Sequence, residues 1–233
     1  MHCTVLVPAY NREEFISDAL ESIFLQSYRD YDILVVDDGS TDRTADVVKR
    51  KMPGRDMSLI TIPHEGCAGA TKVGIENARG PVITVLDSDD QLTIDSLQTI
   101  VPYFRTMKDL GYAWTNFIRS DGRNGWCCRQ PLGRTLYQAL TEGWWRACAQ
   151  RYFRKKTYMK TEGLDTSVLY AVDLQLALLL AETGCETMHF PKITYWRREH
   201  PNQISTATLK EQRKCAHKLV RRFKRRREAA EQK

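Results

Sequence analysis

The sequence lacks most of the short signatures that identify a class of protein. It has no run near the roughly 20 apolar residues of a membrane-spanning helix, and its N-terminus lacks the basic-then-apolar order of a signal peptide. Its seven cysteines include no Cys-x-x-Cys pair, so no metal-ligand pair or disulfide framework is indicated. It has no low-complexity tract and no repeat of fixed period. We therefore expect a cytosolic chain with reduced thiols.

The two common glycine motifs for phosphate binding are also absent. There is no Gly-x-x-x-x-Gly-Lys-Ser/Thr P-loop, and no Gly-x-Gly-x-x-Gly follows the first apolar segment. A nucleotide site in this chain would therefore depend on carboxylates and a divalent ion.

Positive charge is concentrated at the C-terminal end. The formal net charge is +6 over 233 residues. Residues 209–233 hold eleven Lys or Arg and three Glu, a net of +8, so the preceding 208 residues are net −2. The body is thus near neutral and carries a basic tail.

One acidic stretch follows the most apolar short segment. Val82–Val85 is typical of a strand buried on both faces of a parallel sheet. It is followed by Asp87, Asp89 and Asp90, and carboxylate oxygens are hard ligands suited to Mg²⁺ or Mn²⁺. On a continuing strand, Asp87 and Asp89 would share one face. The alternative is a solvated turn that caps a helix from Thr93.

The first half of the chain alternates strand and helix. Asn11 with Glu14 matches a capping box and predicts a helix start. The order βαβαβαβ predicts a mostly parallel central sheet flanked by helices, an α/β fold. The predicted strands are Thr4–Pro8, Asp32–Asp37, Ser58–Pro63 and Val82–Val85, and the predicted helices begin near Asn11, Asp42, the Gly66–Gly69 segment and Thr93.

Polar residues follow each of these strands. In parallel sheets, ligands bind beyond the carboxyl ends of the strands. Tyr10 could stack on a base, and Asp37 and Asp38 could accept hydrogen bonds from a ribose or a base. The residues expected at this rim are Pro8, Ala9, Tyr10, Asn11, Asp37, Asp38, His64, Asp87, Ser88, Asp89 and Asp90.

The second half loses the alternation. We predict a strand over Tyr112–Ile118, a helix over Tyr170–Glu182 and a strand pair over His189–Trp196. No linker separates the halves, so one domain over 1–208 is expected, with a first half typical of a nucleotide fold (1–110), a second half that covers one edge of it (111–208) and a tail (209–233).

Three further residues are candidates for chemistry. Asp173 lies in a nearly all-apolar helical segment, where burial would raise its pKa toward that of a general base; the alternative is a carboxylate stabilised by the helix dipole. Lys72 could add positive charge beside a diphosphate, or be a solvated helix lysine. His200 could complete a metal shell, although a lone histidine is more often structural.

Five motifs in this order resemble the family 2 glycosyltransferases, which have the GT-A nucleotide-diphosphosugar transferase fold. The motifs are Val7-Pro-Ala-Tyr-Asn11, Val35-Val-Asp-Asp-Gly-Ser-Thr-Asp42, Gly74-Ile-Glu-Asn-Ala-Arg-Gly80, Leu86-Asp-Ser-Asp-Asp90 and Tyr195-Trp-Arg-Arg-Glu-His200.

The resemblance implies inverting transfer of a hexosyl or N-acetylhexosaminyl group from a nucleotide-diphosphosugar, usually a UDP-sugar, with Mn²⁺ or Mg²⁺. It implies Asp173 as catalytic base and Asp89 and His200 as metal ligands. The implied nucleotide-sugar-binding residues are Pro8, Ala9, Tyr10, Asn11, Asp38, Lys72, Asp87 and Ser88.

The chain departs from the family pattern at several positions. Val172 precedes Asp173 where the family commonly has Glu. His64 stands where the family usually has Asn, and Lys72 stands where it usually has Arg. The ammonium group of Lys is a point charge, whereas the guanidinium of Arg is planar and can donate two parallel hydrogen bonds, so contacts to phosphate or base are expected to differ. The Gln-x-x-Arg-Trp signature of processive synthases is absent, which favours adding one sugar per encounter in polysaccharide biosynthesis.

The resemblance implies that the acceptor is a glycan or a lipid-linked acceptor. Trp126, Trp144 and Trp145 could present flat apolar faces to its sugar rings, or could be core residues. The tail, 209–233, could form an amphipathic helix that contacts anionic lipid or a helix docked on the body by its apolar stripe. We expect no nucleic-acid binding. The competing functions are a non-catalytic nucleotide-sugar-binding protein tethered by the tail and, third, a nucleotidyltransferase.

Overall fold

The computed structural model describes residues 1–119, 135–143, 150–200, 203 and 208–232. The elements of the first half are β1 (Cys3–Ala9), α1 (Ile16–Phe24), β2 (Tyr31–Asp37), α2 (Thr44–Lys51), β3 (Met57–Thr61), α3 (Gly66–Asn77) and β4 (Val82–Val85). The predicted βαβαβαβ order of this half is therefore confirmed, and its four strands are all parallel in the order β3-β2-β1-β4.

The second half extends the same sheet with mixed strand directions. β7 pairs antiparallel with both β4 and β6, β8 runs parallel to β6, and β5 pairs antiparallel with β8, so the full order is β3-β2-β1-β4-β7-β6-β8-β5. These elements are β5 (Gln91–Leu92), α4 (Ser96–Thr106), β6 (Leu110–Arg119), α5 (Leu136–Thr141), β7 (Arg151–Arg154), α6 (Lys155–Tyr158), α7 (Val172–Glu182), β8 (Glu186–Arg197) and α8 (Leu209–Glu231).

Both faces of the sheet are covered, which explains why its strands are apolar throughout. Leu6 and Leu34 belong to a core shared with α3, α7 and α8. Their neighbours Val5 and Val35 point the other way, into a core shared with α1 and α4. Successive residues of a strand point to opposite faces, so helices on both sides require apolar residues at every position.

The predicted helix start at Asn11 is wrong, because α1 begins at Ile16. Asn11 has a left-handed backbone (φ 49°), and its side-chain oxygen accepts a hydrogen bond from the backbone of Thr41 at 2.9 Å. The side chain that could have capped α1 therefore binds the loop after β2. The N-cap residue of α1 is Phe15, which makes no side-chain cap.

The strand pair predicted over His189–Trp196 is also wrong, because β8 is one strand of 12 residues. Its register against β6 shifts where Phe190 pairs with Thr115 and Ile193 pairs with Asn116. Pro191 lies in this irregularity. Proline has no N–H for a ladder hydrogen bond, so a bulge accommodates it without ending the strand.

The basic tail forms α8, which docks on the body through an apolar stripe. Ala216, Leu219, Val220 and Phe223 are buried, and α8 packs on α5 and α7. Arg222 pairs with Asp165 at 2.6 Å. The stripe therefore faces the protein, in agreement with the docked-helix alternative, and the other side of α8 carries exposed cations.

Candidate active site

The carboxyl ends of the central strands meet at one rim of the sheet. Ala9 at the end of β1 pairs with Asp37 at the end of β2. On the other side of β1, Leu6 pairs with Val85, the last residue of β4. This register brings the segment that begins at Pro8 next to the loop of Asp38 and to the turn that begins at Asp87. The rim expected from the strand order therefore exists.

Asn11 connects the first two rim loops. Its amide N–H donates to Ser40 Oγ at 2.9 Å, and its side-chain oxygen accepts from the backbone of Thr41. Asp37, which is buried, accepts a hydrogen bond from the amide of Ser40 at 3.3 Å. Asn11 and Asp37 thus hold the shape of the loop that follows β2.

Asp38 anchors a small aromatic platform. Its Oδ1 accepts from the amide of Glu65 at 2.8 Å, and its Oδ2 lies 2.9 Å from His64 Nδ1. The His64 ring stacks on Tyr10 with 4.0 Å between centroids and 25° between planes. Each carboxylate oxygen has two lone pairs, so Asp38 keeps acceptor capacity. A half-exposed Tyr10 beside a carboxylate could hold a nucleoside.

The acidic segment is a turn, and the expectation that Asp87 and Asp89 share a strand face is wrong. β4 ends at Val85, and the amide of Asp90 donates to the carbonyl of Asp87 at 3.0 Å. Asp87 therefore points to Arg151, with 3.0 Å between Oδ1 and a guanidinium nitrogen. Ser88 is buried within the turn.

Asp89 faces His200 and Arg12. Its Oδ2 lies 3.1 Å from His200 Nε2 and 3.3 Å from Arg12 Nε. The side chains of Asp89 and His200 are 11% and 8% exposed, so this contact is largely removed from water. The predicted metal ligands are thus side by side, with a guanidinium beside the carboxylate.

This donor set fits a divalent ion only in part. Carboxylate and imidazole groups suit Mn²⁺. Within the part of the chain that the structure describes, no group of three or more His, Cys, Asp or Glu side chains could hold a metal. Mg²⁺ and similar ions are usually held by one or two carboxylates together with substrate phosphates and water. Asp89 and His200 could therefore supply two ligands of such an ion, and the remaining ligands would have to come from outside this pair.

Asp90, the third carboxylate of the turn, is structural. Tyr195 at the end of β8 donates its hydroxyl to Asp90 Oδ2 at 2.6 Å, and the amide of Arg198 donates to Oδ1 at 2.8 Å. Burial and the neighbouring Asp87 and Asp89 raise the pKa of Asp90. Asp90 therefore ties the last strand to the acidic turn.

Asp173 lies in the first turn of α7, two positions after a strained residue. Ala171 has a left-handed backbone (φ 58°), and Asp173 Oδ1 accepts from the amide of Leu174 at 2.8 Å. Burial raises the pKa of Asp173, and the positive charge of Arg151 opposes that increase. A left-handed residue costs about 1–3 kcal/mol, which indicates that packing fixes this turn.

Arg151 and Arg198 are site residues that the sequence analysis missed. Arg198 Nε donates to the carbonyl of Asp89 at 3.1 Å, and its guanidinium pairs with Asp18 at 2.8 Å. The sequence signal for Arg151 is a charge at the edge of the apolar pair Tyr152 and Phe153.

The remaining predicted residues are not connected to this group. Lys72 is half-buried on α3, and no residue that the structure describes forms an ion pair with it. Its role stays a prediction. Trp126, Trp144 and Trp145, the predicted acceptor residues, lie outside the described ranges.

Comparison with known proteins gives concordant matches. The family described as Glycosyl transferase family 2 matches residues 4–163. Chondroitin synthase of Pasteurella multocida (strain Pm70) is 29% identical over 218 residues, which are 91% of this chain and 22% of that protein. Chondroitin synthase of Escherichia coli is 29% identical over 221 residues, 93% of this chain and 32% of that protein. The chain thus spans a third or less of the length of these curated relatives.

Solved structures share the fold. The crystal structure of S. aureus TarS 1-349 in complex with UDP-GlcNAc has a TM-score of 0.72 at 17% identity, covering 89% of this chain and 61% of that one. The mannosyltransferase PcManGT from Pyrobaculum calidifontis, in complex with GDP-Man and Mn²⁺, has a TM-score of 0.68 at 22% identity, covering 90% and 60%. The predicted GT-A fold is therefore confirmed, and with more than half of its length matched by the family, the chain belongs to glycosyl transferase family 2.

Proposed function

We propose that the chain is a metal-dependent, inverting glycosyltransferase. It moves a sugar from a nucleotide-diphosphosugar, a UDP-sugar by preference, to a hydroxyl of a glycan or lipid-linked acceptor. The observation that carries the proposal is the strand register that brings the Asp38 platform and the Asp89–His200 pair to one rim. Asp87 of the same turn also acts on the charge of Asp173.

The donor side follows from the rim loops. Tyr10 stacks on the base and Asp38 accepts hydrogen bonds from the nucleoside. The diphosphate lies toward Asp89 and His200, where a bound Mn²⁺ or Mg²⁺ would supply positive charge beside it. Relatives support this choice of donor, since TarS was crystallised with UDP-GlcNAc and PcManGT with GDP-Man and Mn²⁺.

Asp173 acts as the base of a single displacement. Its carboxylate accepts the proton of the acceptor hydroxyl while the hydroxyl oxygen forms a bond to the anomeric carbon. The bond from that carbon to the diphosphate oxygen breaks, and the nucleoside diphosphate leaves with the electron pair. Attack opposite the leaving group inverts the anomeric centre. A raised pKa makes Asp173 a better proton acceptor than an ordinary carboxylate near neutral pH.

The test pairs donor binding with transfer. Wild type and Asp173→Asn are assayed with a panel of nucleotide sugars, Mn²⁺ and hydroxyl acceptors, and donor binding is measured by calorimetry. We expect Asp173→Asn to bind donor within about twofold and to lose about 10²–10⁴ in transfer rate, the usual contribution of a general base.

Asp46 is an exposed carboxylate on α2. The Asp46→Asn variant is therefore the matched control and should transfer at the wild-type rate. Unchanged transfer by Asp173→Asn excludes Asp173 as base. Donor binding without transfer to any acceptor would instead identify a non-catalytic nucleotide-sugar-binding protein.

We also propose that α8 holds the protein on an anionic membrane by charge alone. Across the described residues, no helix is long and apolar enough to cross a bilayer. The apolar stripe of α8 packs on the body, so insertion is not the mode of contact. Exposed cations share one face at helical spacing and form no ion pair with a described residue: Lys214, Lys218, Arg221 and Arg225.

Co-sedimentation with phosphatidylcholine vesicles, with and without phosphatidylglycerol, tests this contact. Binding should require the anionic lipid and weaken in high salt, since each surface cation contributes about 1 kcal/mol and salt screens it. Lys218→Glu/Arg221→Glu should release the protein. Lys108→Glu/Lys156→Glu, with the same change in net charge elsewhere, should still bind; release of both variants would contradict a role specific to α8.

A further inference from the structure

Arg151 is a buried cation that the proposed function has not used. It is the first residue of β7, and its side chain is 7% exposed. β7 runs antiparallel to β4, with Arg151 opposite Val85, and the Arg151 carbonyl accepts from Thr84 Oγ1 at 3.0 Å. The strand pairing therefore fixes the backbone of Arg151 where β4 ends and the acidic turn begins.

Two carboxylates act on this guanidinium. Asp87 forms a direct ion pair with it at 3.0 Å, and the negative charge of Asp173 on α7 also raises the pKa of Arg151. A buried cation is costly unless it is paired and hydrogen-bonded. Arg151 is therefore paired with the turn after β4, and its charge also acts on the first turn of α7, although Asp87 and Asp173 are 86 positions apart in the chain.

We propose that Arg151 is a positioning residue for Asp173. Its guanidinium holds the Asp87 side chain in place and keeps the Asp173 carboxylate ionised and able to accept a proton. This role rests on the proposed function, in which Asp173 is the base. An arginine suits it because the guanidinium stays charged throughout the working pH range and cannot itself take the proton.

The charges around Asp173 explain why a cation is needed there. Among the described residues, the charged or titratable groups that act on it from neighbouring elements include Arg151 on β7, Asp87 after β4, and Cys67 at the start of α3. Burial and Asp87 raise the pKa of Asp173, and the positive charge of Arg151 opposes that increase. Removal of Arg151 would therefore raise the pKa of Asp173 further and reduce the fraction of carboxylate that can accept a proton.

The same strand provides a matched control. Arg154 is also buried on β7, but its guanidinium donates to the carbonyls of Phe104 and Met107 at the end of α4 and of Leu110 at the start of β6. No carboxylate among the described residues forms an ion pair with it. Replacing Arg154 therefore perturbs β7 and its packing without changing the charge beside Asp173.

The first experiment is the pH dependence of the transfer rate, kcat, for wild type, Arg151→Gln, Arg151→Lys and Arg154→Lys. An opposite charge nearby lowers a carboxylate pKa by about 1–3 units. We expect the acidic limb of Arg151→Gln to move up by about that amount, Arg151→Lys to move less, and Arg154→Lys to keep the wild-type limb. A limb that stays in place in both Arg151 variants overturns the proposal.

The second experiment needs no activity and uses Cys67 as a reporter. Its side chain is exposed to solvent. Desolvation and then Asp87 raise the pKa of its thiol to about 11, and Arg151 acts in the opposite direction. Only the thiolate reacts with iodoacetamide, and its fraction falls about tenfold per pKa unit. We expect Arg151→Gln to slow alkylation of Cys67, measured by mass spectrometry on tryptic peptide 56–72, where it is the sole cysteine.

The two experiments separate the failure of this proposal from failure of the proposed function. If alkylation slows in Arg151→Gln but no variant, including wild type, transfers sugar, the glycosyltransferase function is contradicted, and so is the role of Arg151 beside a catalytic base. If wild type transfers sugar and the pH limbs of the Arg151 variants do not shift, only the role of Arg151 is contradicted. If Arg151→Gln does not fold, Arg151→Lys decides: an unshifted limb overturns the proposal and a partial shift supports it.

Discussion

The hydroxyl of Tyr195 donates a 2.6 Å hydrogen bond to the buried carboxylate of Asp90. This contact ties the end of β8 to the acidic turn. We predict that Tyr195→Phe lowers the free energy of unfolding by about 1.5–3 kcal/mol, the usual value for a hydrogen bond to a charged group. Chemical denaturation measures the change. Tyr103 is 44% exposed, so Tyr103→Phe should stay within about 0.5 kcal/mol of wild type. Equal losses of stability in the two variants would contradict the structural role of the Tyr195–Asp90 hydrogen bond.

Mn²⁺ should stabilise the folded chain through Asp89. A ligand that binds only the folded state at 100 times its dissociation constant adds about 2.7 kcal/mol. We predict that Mn²⁺ with a nucleoside diphosphate raises the Tm of wild type, and that Asp89→Asn or His200→Ala abolishes the increase. Differential scanning fluorimetry measures it. Asp46→Asn should behave as wild type, and a full Tm increase in Asp89→Asn would place the ion elsewhere.

The close approach of α3 to β1 depends on Gly74. A Cβ built there would lie 2.1 Å from Leu6 Cδ1. Since added volume in a packed core costs about 1–3 kcal/mol, we predict that Gly74→Ala destabilises the fold by that amount in urea denaturation. The double variant with Leu6→Ala should be less destabilised than the sum of the two single variants. Simple additivity would show that the helix moves away instead.

The docking of α8 depends on its apolar stripe. Phe223 is 1% exposed and Leu209, on the same helix, is 49% exposed. We predict that Phe223→Ala lowers the free energy of unfolding by about 3–5 kcal/mol, or makes residues 209–233 susceptible to trypsin under native conditions. Leu209→Ala should do neither. Protection of the tail in Phe223→Ala would mean that two sets of ion pairs suffice to hold it: Arg222 with Asp165, and Arg226 with Glu162 and Glu182.

Some site residues were visible in the sequence because their signals are local. Asp89 follows a short apolar strand, and Asp38 follows another, so the rule for strand ends was enough to bring both to one rim. The expectation that His200 lies beside Asp89 came from the family resemblance, because no local spacing connects residues that are 111 positions apart. The position of Asp173 near Arg151 likewise required the fold.

Other features were beyond any local pattern. The sequence of Asn11 and Glu14 matches a capping box, yet Asn11 binds the loop after β2 because a neighbouring parallel strand brings that loop within reach. The pattern of His189–Trp196 suggests two strands, yet pairing with β6 holds it as one. In each case a long-range hydrogen-bond partner competes successfully with the local preference.

The parallel half of the sheet, its apolar strands and the rim with its carboxylates could be predicted from the amino-acid order, because burial on both faces and the change from strand to turn appear in consecutive residues. The partners of those carboxylates became known only from the folded chain: Asp87 with Arg151, Asp89 with Arg12 and His200, and Asp90 with Tyr195. A carboxylate accepts from any nearby donor, so its partner depends on which segments the sheet brings within about 3 Å.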